Sequence, residues 1–203
     1  YSVPFNWGMV GVIYNSALIE EPEHSWATLW DEKYKDMSLT FSNPRDAFMT
    51  AQMILGQDLN TTNKADWDAA AQLLKKQKKN LQSYVMDEVY GKMETGEAAI
   101  APYYAGDYLT MYDINEDLRF FYPEEGTNIF MDSVCIPACV QNYEAAMLYM
   151  NFLMEPQIAL ANAEYIGYAS PNTAVIENPD YYYYQNEILY PKKEATPPTQ
   201  YYH

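Results

Sequence analysis

Residues 96–107 read Gly-Glu-Ala-Ala-Ile-Ala-Pro-Tyr-Tyr-Ala-Gly-Asp. Gly96 ends the helical pattern of 87–95, since glycine tolerates the left-handed backbone that closes a helix. Residues 97–104 then read as a strand of small, apolar and aromatic side chains. A second helix is predicted from about 106 to 115. One short stretch thus passes from helix to strand to helix, and the pattern repeats on both sides of it. Upstream, 8–14 (Gly-Met-Val-Gly-Val-Ile-Tyr) reads as a buried strand, and 38–41 as a shorter one. Ser25 is placed to cap a short helix through Trp30. Asn43-Pro44-Arg45-Asp46 carries a cap, a first-turn proline and an acid at the capping-box position of a helix that runs to Gly56. An amphipathic helix is expected over 64–79, its Lys-rich end matching the helix dipole.

Downstream, strands are predicted at 118–122 and 128–136, separated by the turn Pro123-Glu124-Glu125-Gly126. Two helices follow, over 142–154 and 156–165, parted by Pro156. Strands alternating with helices predict an α/β fold with a mixed sheet flanked by helices. The stretch from Pro191 is Pro-rich and polar and is expected to be a loose tail.

Composition narrows the function. The 203 residues carry 28 Asp and Glu against 12 Lys and Arg, a formal charge of −16. Nucleic acid is excluded as a partner, because binding phosphates needs a basic face. The balance suits a cationic ligand, because acid-lined clefts concentrate cations, but charge alone reads first as acid that keeps the chain in solution. There are 21 Tyr, a residue whose apolar ring and polar tip suit half-wet clefts and whose ring face attracts ammonium groups. The only cysteines, Cys135 and Cys139, are expected as buried free thiols, since Pro137 between them opposes a bridge. With two His besides, no structural zinc site is expected, and no cofactor. Nucleophile-elbow, metalloprotease and P-loop patterns are missing, so no catalytic residue is assigned. The opening Tyr1-Ser2-Val3-Pro4-Phe5, without an initiator Met, reads as the interior of a longer chain.

Six motifs in order carry a resemblance. Val3-Pro4-Phe5-Asn6-Trp7-Gly8 with Gly11-Val12-Ile13-Tyr14-Asn15 comes first, then Ser25-Trp26-Ala27-Thr28-Leu29-Trp30-Asp31 with Tyr34-Lys35. Tyr104-Ala105-Gly106-Asp107 follows Gly96-Glu97, and Phe130-Met131-Asp132-Ser133 follows Pro123-Glu124-Glu125-Gly126. Asn151 to Pro156 and Tyr165 to Asn172 complete the set. Together, over about residues 3–190, they resemble the spermidine/putrescine-binding proteins of bacterial ABC importers. The resemblance implies a two-lobed, periplasmic-binding-protein type II-like fold with the first lobe incomplete. Residues 1–14 would be an interlobe crossing strand, 15–130 lobe two, 131–190 the return strand and helices of a partial lobe one, and 191–203 the tail.

The same resemblance implies a non-enzymatic, extracytoplasmic polyamine receptor, expected to be a monomer, that docks on membrane permease subunits. The ligand set it implies is Asp132, Asp107, Tyr104, Phe130, Tyr168, Asp46 and Asn43. Asp132 is expected on a buried strand, where a carboxylate needs a partner and a ligand ammonium supplies one. Tyr104 and Phe130 stand where the family has Trp, and Asn43 where spermidine-preferring members have an acid. Asn43 and Asp46 also form a complete helix-capping pair. Two other readings stay open: a two-lobed receptor for another cationic or polar solute, and a carboxylate-based hydrolase.

Overall fold

A computed structural model describes all 203 residues. The organising element is β1, Ser2–Asn15, whose 14 residues span about 46 Å at the usual strand rise. Its first half, Ser2–Met9, pairs antiparallel with β6 (Thr127–Cys135), with a register shift between Pro4 and Asn6. Its second half lies between β4 (Ile100–Tyr104) and β5 (Leu118–Phe121), both antiparallel to it. β2 (Ser38–Phe41) pairs in parallel with β4 and with β3 (Leu81–Val85). The result is a mixed sheet of order β3-β2-β4-β1-β6-β7, with β5 beside the second half of β1. Burial follows this division. Gly8 to Asn15 of β1 are buried, whereas the end paired with the second half of β6 is open.

The helices are α1 (Pro44–Ile54), α2 (Lys64–Gln77), α3 (Glu88–Glu94), α4 (Ala105–Tyr112), α5 (Tyr143–Met154), α6 (Pro156–Ile166) and the short α7 (Thr173–Ile176). The expected caps form. Asn43 Oδ1 accepts from Arg45 N (3.0 Å) and Ser25 Oγ from Ala27 N (3.0 Å), although the segment after Ser25 winds as a 3-10 helix. Gly56 and Gly96 take positive φ at the ends of α1 and α3, as predicted. The main core gathers Val12, Ile13, Trp26, Leu29, Leu39, Phe41, Met49, Ile100, Met111 and Leu118, all but fully buried.

Three expectations are corrected. The segment after Pro191 is docked rather than loose. Its β7 (Thr199–Gln200) pairs in parallel with Thr127–Asn128. Thr127 N donates to Pro198 O (2.9 Å), Leu59 N to Gln200 Oε1 (2.9 Å) and His203 N to Asn60 Oδ1 (2.8 Å). The Gln200 side chain, read as solvated, is spent on the backbone of Leu59 and Gln57, some 140 positions away. Cys135 and Cys139 are free, as expected, but exposed. Cys135 ends, and Cys139 follows, the half of β6 that only β1 covers. Asp132 lies on that same open half and is exposed instead of buried.

Candidate ligand cleft

Strand alternation puts Asn128, Phe130 and Asp132 on one face of β6. Opposite them in register on β1 stand Gly8, across from Phe130, and Asn6, across from Asp132. Gly8 has a packing reason, because a Cβ there would sit 2.8 Å from Phe130 Cζ. The N-terminus of α1 supplies Asn43, Arg45 and Asp46, and the end of β4 supplies Tyr104. The loop after α6 supplies Tyr168, and the docked tail supplies Tyr202. These side chains enclose an open cleft of about 350 Å³. Six of the seven residues named from sequence line it: Asp132, Asp46, Asn43, Tyr104, Phe130 and Tyr168.

Four aromatic rings wall the cleft, those of Tyr104, Phe130, Tyr168 and Tyr202. Tyr104 meets Phe130 edge-on at 5.5 Å, and Phe130 meets Tyr168 at 6.2 Å. The carboxylates differ in how far they are already used. Asp46 is 5% exposed. Its Oδ2 accepts from the Tyr104 hydroxyl (2.6 Å) and from Asn43 Nδ2 (2.8 Å), and its Oδ1 from the Tyr202 hydroxyl (3.4 Å). Burial raises its pKa, and the bonds from Tyr104 and Tyr202 oppose the rise. Asn43 therefore both caps α1 and faces the cleft. Asp132 takes part in none of the six ion pairs of the chain. Its pKa is also raised, by partial desolvation alone.

Asp107 stands apart from the cleft wall, behind Tyr168. Its Oδ1 accepts from the Tyr90 hydroxyl (2.7 Å) and its Oδ2 from the Tyr168 hydroxyl (3.0 Å). Burial raises its pKa against those two bonds. Gly167 closes α6 with φ +75°, and Tyr168 follows it directly. The Tyr168 ring lies across the N-terminus of α4, where a Cβ on Gly106 would come within 2.3 Å of it. Alanine normally stabilises a helix relative to glycine by up to about 1 kcal/mol. Gly106→Ala is expected to do the reverse, lowering stability by about 1–3 kcal/mol through overpacking. Urea unfolding of the variant measures it, and a gain in stability would show that the ring yields freely.

Sequence reasoning missed Arg45, Asn128 and Tyr202. The guanidinium of Arg45 lies 4.0 Å from the Tyr202 ring centroid, a cation–π contact. Tyr202 was hidden because its tail read as unstructured. Asn128 had a legible signal, since it lies two and four residues before Phe130 and Asp132 on the same strand face.

Known proteins resemble the chain in sequence and in fold. The spermidine/putrescine-binding periplasmic protein of Salmonella typhimurium is 35% identical over 175 residues, 86% of this chain and 50% of that protein. The spermidine/putrescine-binding periplasmic protein of Escherichia coli is 31% identical over 196 residues, 96% of this chain and 56% of its own length. The chain thus spans about half the length of the curated relatives it matches. A solved structure from Listeria monocytogenes superposes with a TM-score of 0.92 at 32% identity, over 100% of this chain and 63% of that one. The spermidine/putrescine ABC transporter substrate-binding protein of Streptococcus pneumoniae gives 0.82 at 29%, over 100% and 64%. Residues 1–186 match the bacterial extracellular solute-binding protein family, and the chain, with its mixed sheet flanked by helices and an aromatic-walled cleft on β6, belongs to that family.

Proposed function

We propose that this chain forms one wall of the ligand clamp of a polyamine receptor that serves an ABC importer outside the cytoplasm. The observation that carries the reading is the cleft, where an uncommitted carboxylate, Asp132, stands beside the rings of Phe130, Tyr104 and Tyr168. Ammonium groups pair with carboxylates, and a methylene chain packs on ring faces, which also attract the cation by about 0.5–2 kcal/mol. The names of the relatives above support the same ligand class. No helix of the chain is long and apolar enough to cross a membrane.

In this reading β1 and β6 are the crossing strands, residues 15–130 form one lobe, and 131–190 belong to the other. Asp132 and Asp46 are the cleft's acids, Asn43 shares Asp46, and Asp107 enters through Tyr168. Closure of the lobes would desolvate the amine and strengthen every charge contact. The protein would act by binding alone, as a monomer and without a cofactor.

The test is titration calorimetry with putrescine, spermidine and spermine, on the longest gene product that carries residues 1–203. Heat with at least one amine, weakened by added salt, supports the reading; no heat with any amine from folded protein sinks it.

The raised carboxyl pKa values of Asp46 and Asp132 give a pH prediction. A carboxyl whose folded-state pKa is raised contributes stability that is present below the unfolded value, about 3.9, and lost as pH rises through the folded value. Without ligand, these two groups therefore favour folding on the acid side and oppose it near neutrality. An amine pairs with the ionised carboxylate of Asp132, so its stabilising effect is expected to shrink as pH falls. Thermal melts with and without putrescine between pH 4 and 7 check this. A ligand-induced rise in Tm that is constant down to pH 4 would contradict it.

A further inference from the structure

Asn128 is a buried polar residue without a job inside the chain. It is 1% exposed, and its Oδ1 has no hydrogen-bond partner. Its backbone is held in the sheet opposite Gln200 of β7, so the side chain cannot leave for solvent by local fraying. It nevertheless lines the cleft. A buried carboxamide left unsatisfied is costly, and natural structures keep few of them.

The register gives the amide a purpose. Asn128, Phe130 and Asp132 occupy alternate positions of β6, so they form a row of amide, ring and carboxylate along one strand face. Asn128 and Asp132 are separated by about 13 Å along the backbone, with Phe130 midway. A linear amine that pairs one ammonium with Asp132 would lay its methylenes over Phe130. Its next nitrogen would then reach the amide. An amide oxygen accepts an N–H but carries no charge, and a half-turn of the group decides which end faces the cleft.

Building on the amine-binding reading, we infer that Asn128 is a ligand-binding residue that accepts the second nitrogen of a linear diamine, and so makes the cleft read ligand length. Asp132 supplies ion pairing to any amine. Asn128 rewards only those with a second N–H donor at the right distance.

The experiment compares wild type with Asn128→Leu, and with Asn128→Ala in case leucine overfills the site. Calorimetry is run with butylamine and with straight diamines of four to ten carbons, alongside thermal unfolding of the unliganded proteins. Butylamine affinity is expected to be unchanged. Affinity for the best-fitting diamine should fall about 10-fold or more, the usual loss for a hydrogen bond to a charged group. Unliganded stability should be equal to or above wild type in Asn128→Leu, since an unsatisfied polar group has been replaced by an apolar one of similar size. A residue with a purely structural role would not weaken ligand binding while sparing the fold. Equal losses for butylamine and the diamines would overturn the inference. So would undiminished diamine binding, which would mean that a bound water satisfies the amide. Wild-type protein silent to every amine would overturn the underlying reading instead, and that result is distinguishable from both.

Discussion

Asp132→Asn is expected to weaken putrescine binding by about 100-fold or more while leaving the fold intact. Asn keeps the shape of Asp and removes only the charge. Asp132 is exposed on the open half of β6 and belongs to no ion pair of the chain. Its loss therefore strands no internal partner, and unfolding stability should change by less than about 0.5 kcal/mol. The ligand ammonium, by contrast, loses its counter-charge. Close charge pairs at interfaces couple by about 1.5–7 kcal/mol, and each 1.4 kcal/mol is tenfold in affinity. Asp46 cannot replace it, because its oxygens already accept from Tyr104, Tyr202 and Asn43. Calorimetry at low and moderate salt measures the effect, and the mutant's salt dependence should also be shallower. An affinity within threefold of wild type would remove Asp132 from the site.

The largest effect on stability is expected at Trp26, which is 0% exposed within the main core. Its indole Nε1 donates to Gly126 O (2.7 Å), and its backbone N donates to Glu125 Oε2 (3.2 Å). Ser25 Oγ donates to the other oxygen of Glu125. These bonds tie the segment after β1 to the 123–126 turn that launches β6, some 100 residues away. Gly126 is obligatory there, with φ +109° and Pro198 O only 2.5 Å from where a Cβ would stand. Trp26→Ala should cost about 3–5 kcal/mol, the range for emptying a large aromatic site. It also strands the Gly126 carbonyl. Denaturant unfolding gives the value directly. A loss below about 1 kcal/mol would mean that the turn holds without this anchor. Because β6 carries Asn128, Phe130 and Asp132, partial fraying at this turn should weaken ligand binding as well.

The elements that were readable in the chain share a physical character. β1, β4 and β6 announce themselves by apolar or alternating runs, and α1 by Asn43, Pro44 and Gly56, because periodicity, capping and glycine conformations act within a few residues. β3 went unread. Its Leu81–Val85 is mostly half-buried, without the clean alternation of a one-sided strand. The tail went unread for a similar reason, since its prolines and polar groups suit solvent until distant backbone partners claim them.

Local chemistry thus determined the α/β class and the main strands and helices, and the resemblance carried by the six motifs pointed to six of the residues that line the cleft. Tertiary structure decided which of those residues are free to act. Asp107 and Tyr168 are 61 positions apart, and Asp46 and Tyr104 are 58. Whether a carboxylate faces a ligand or a neighbouring phenol depends on long-range pairing, to which local propensity is blind. The same holds for Tyr202, which becomes a cleft residue only once β7 zips the tail onto β6.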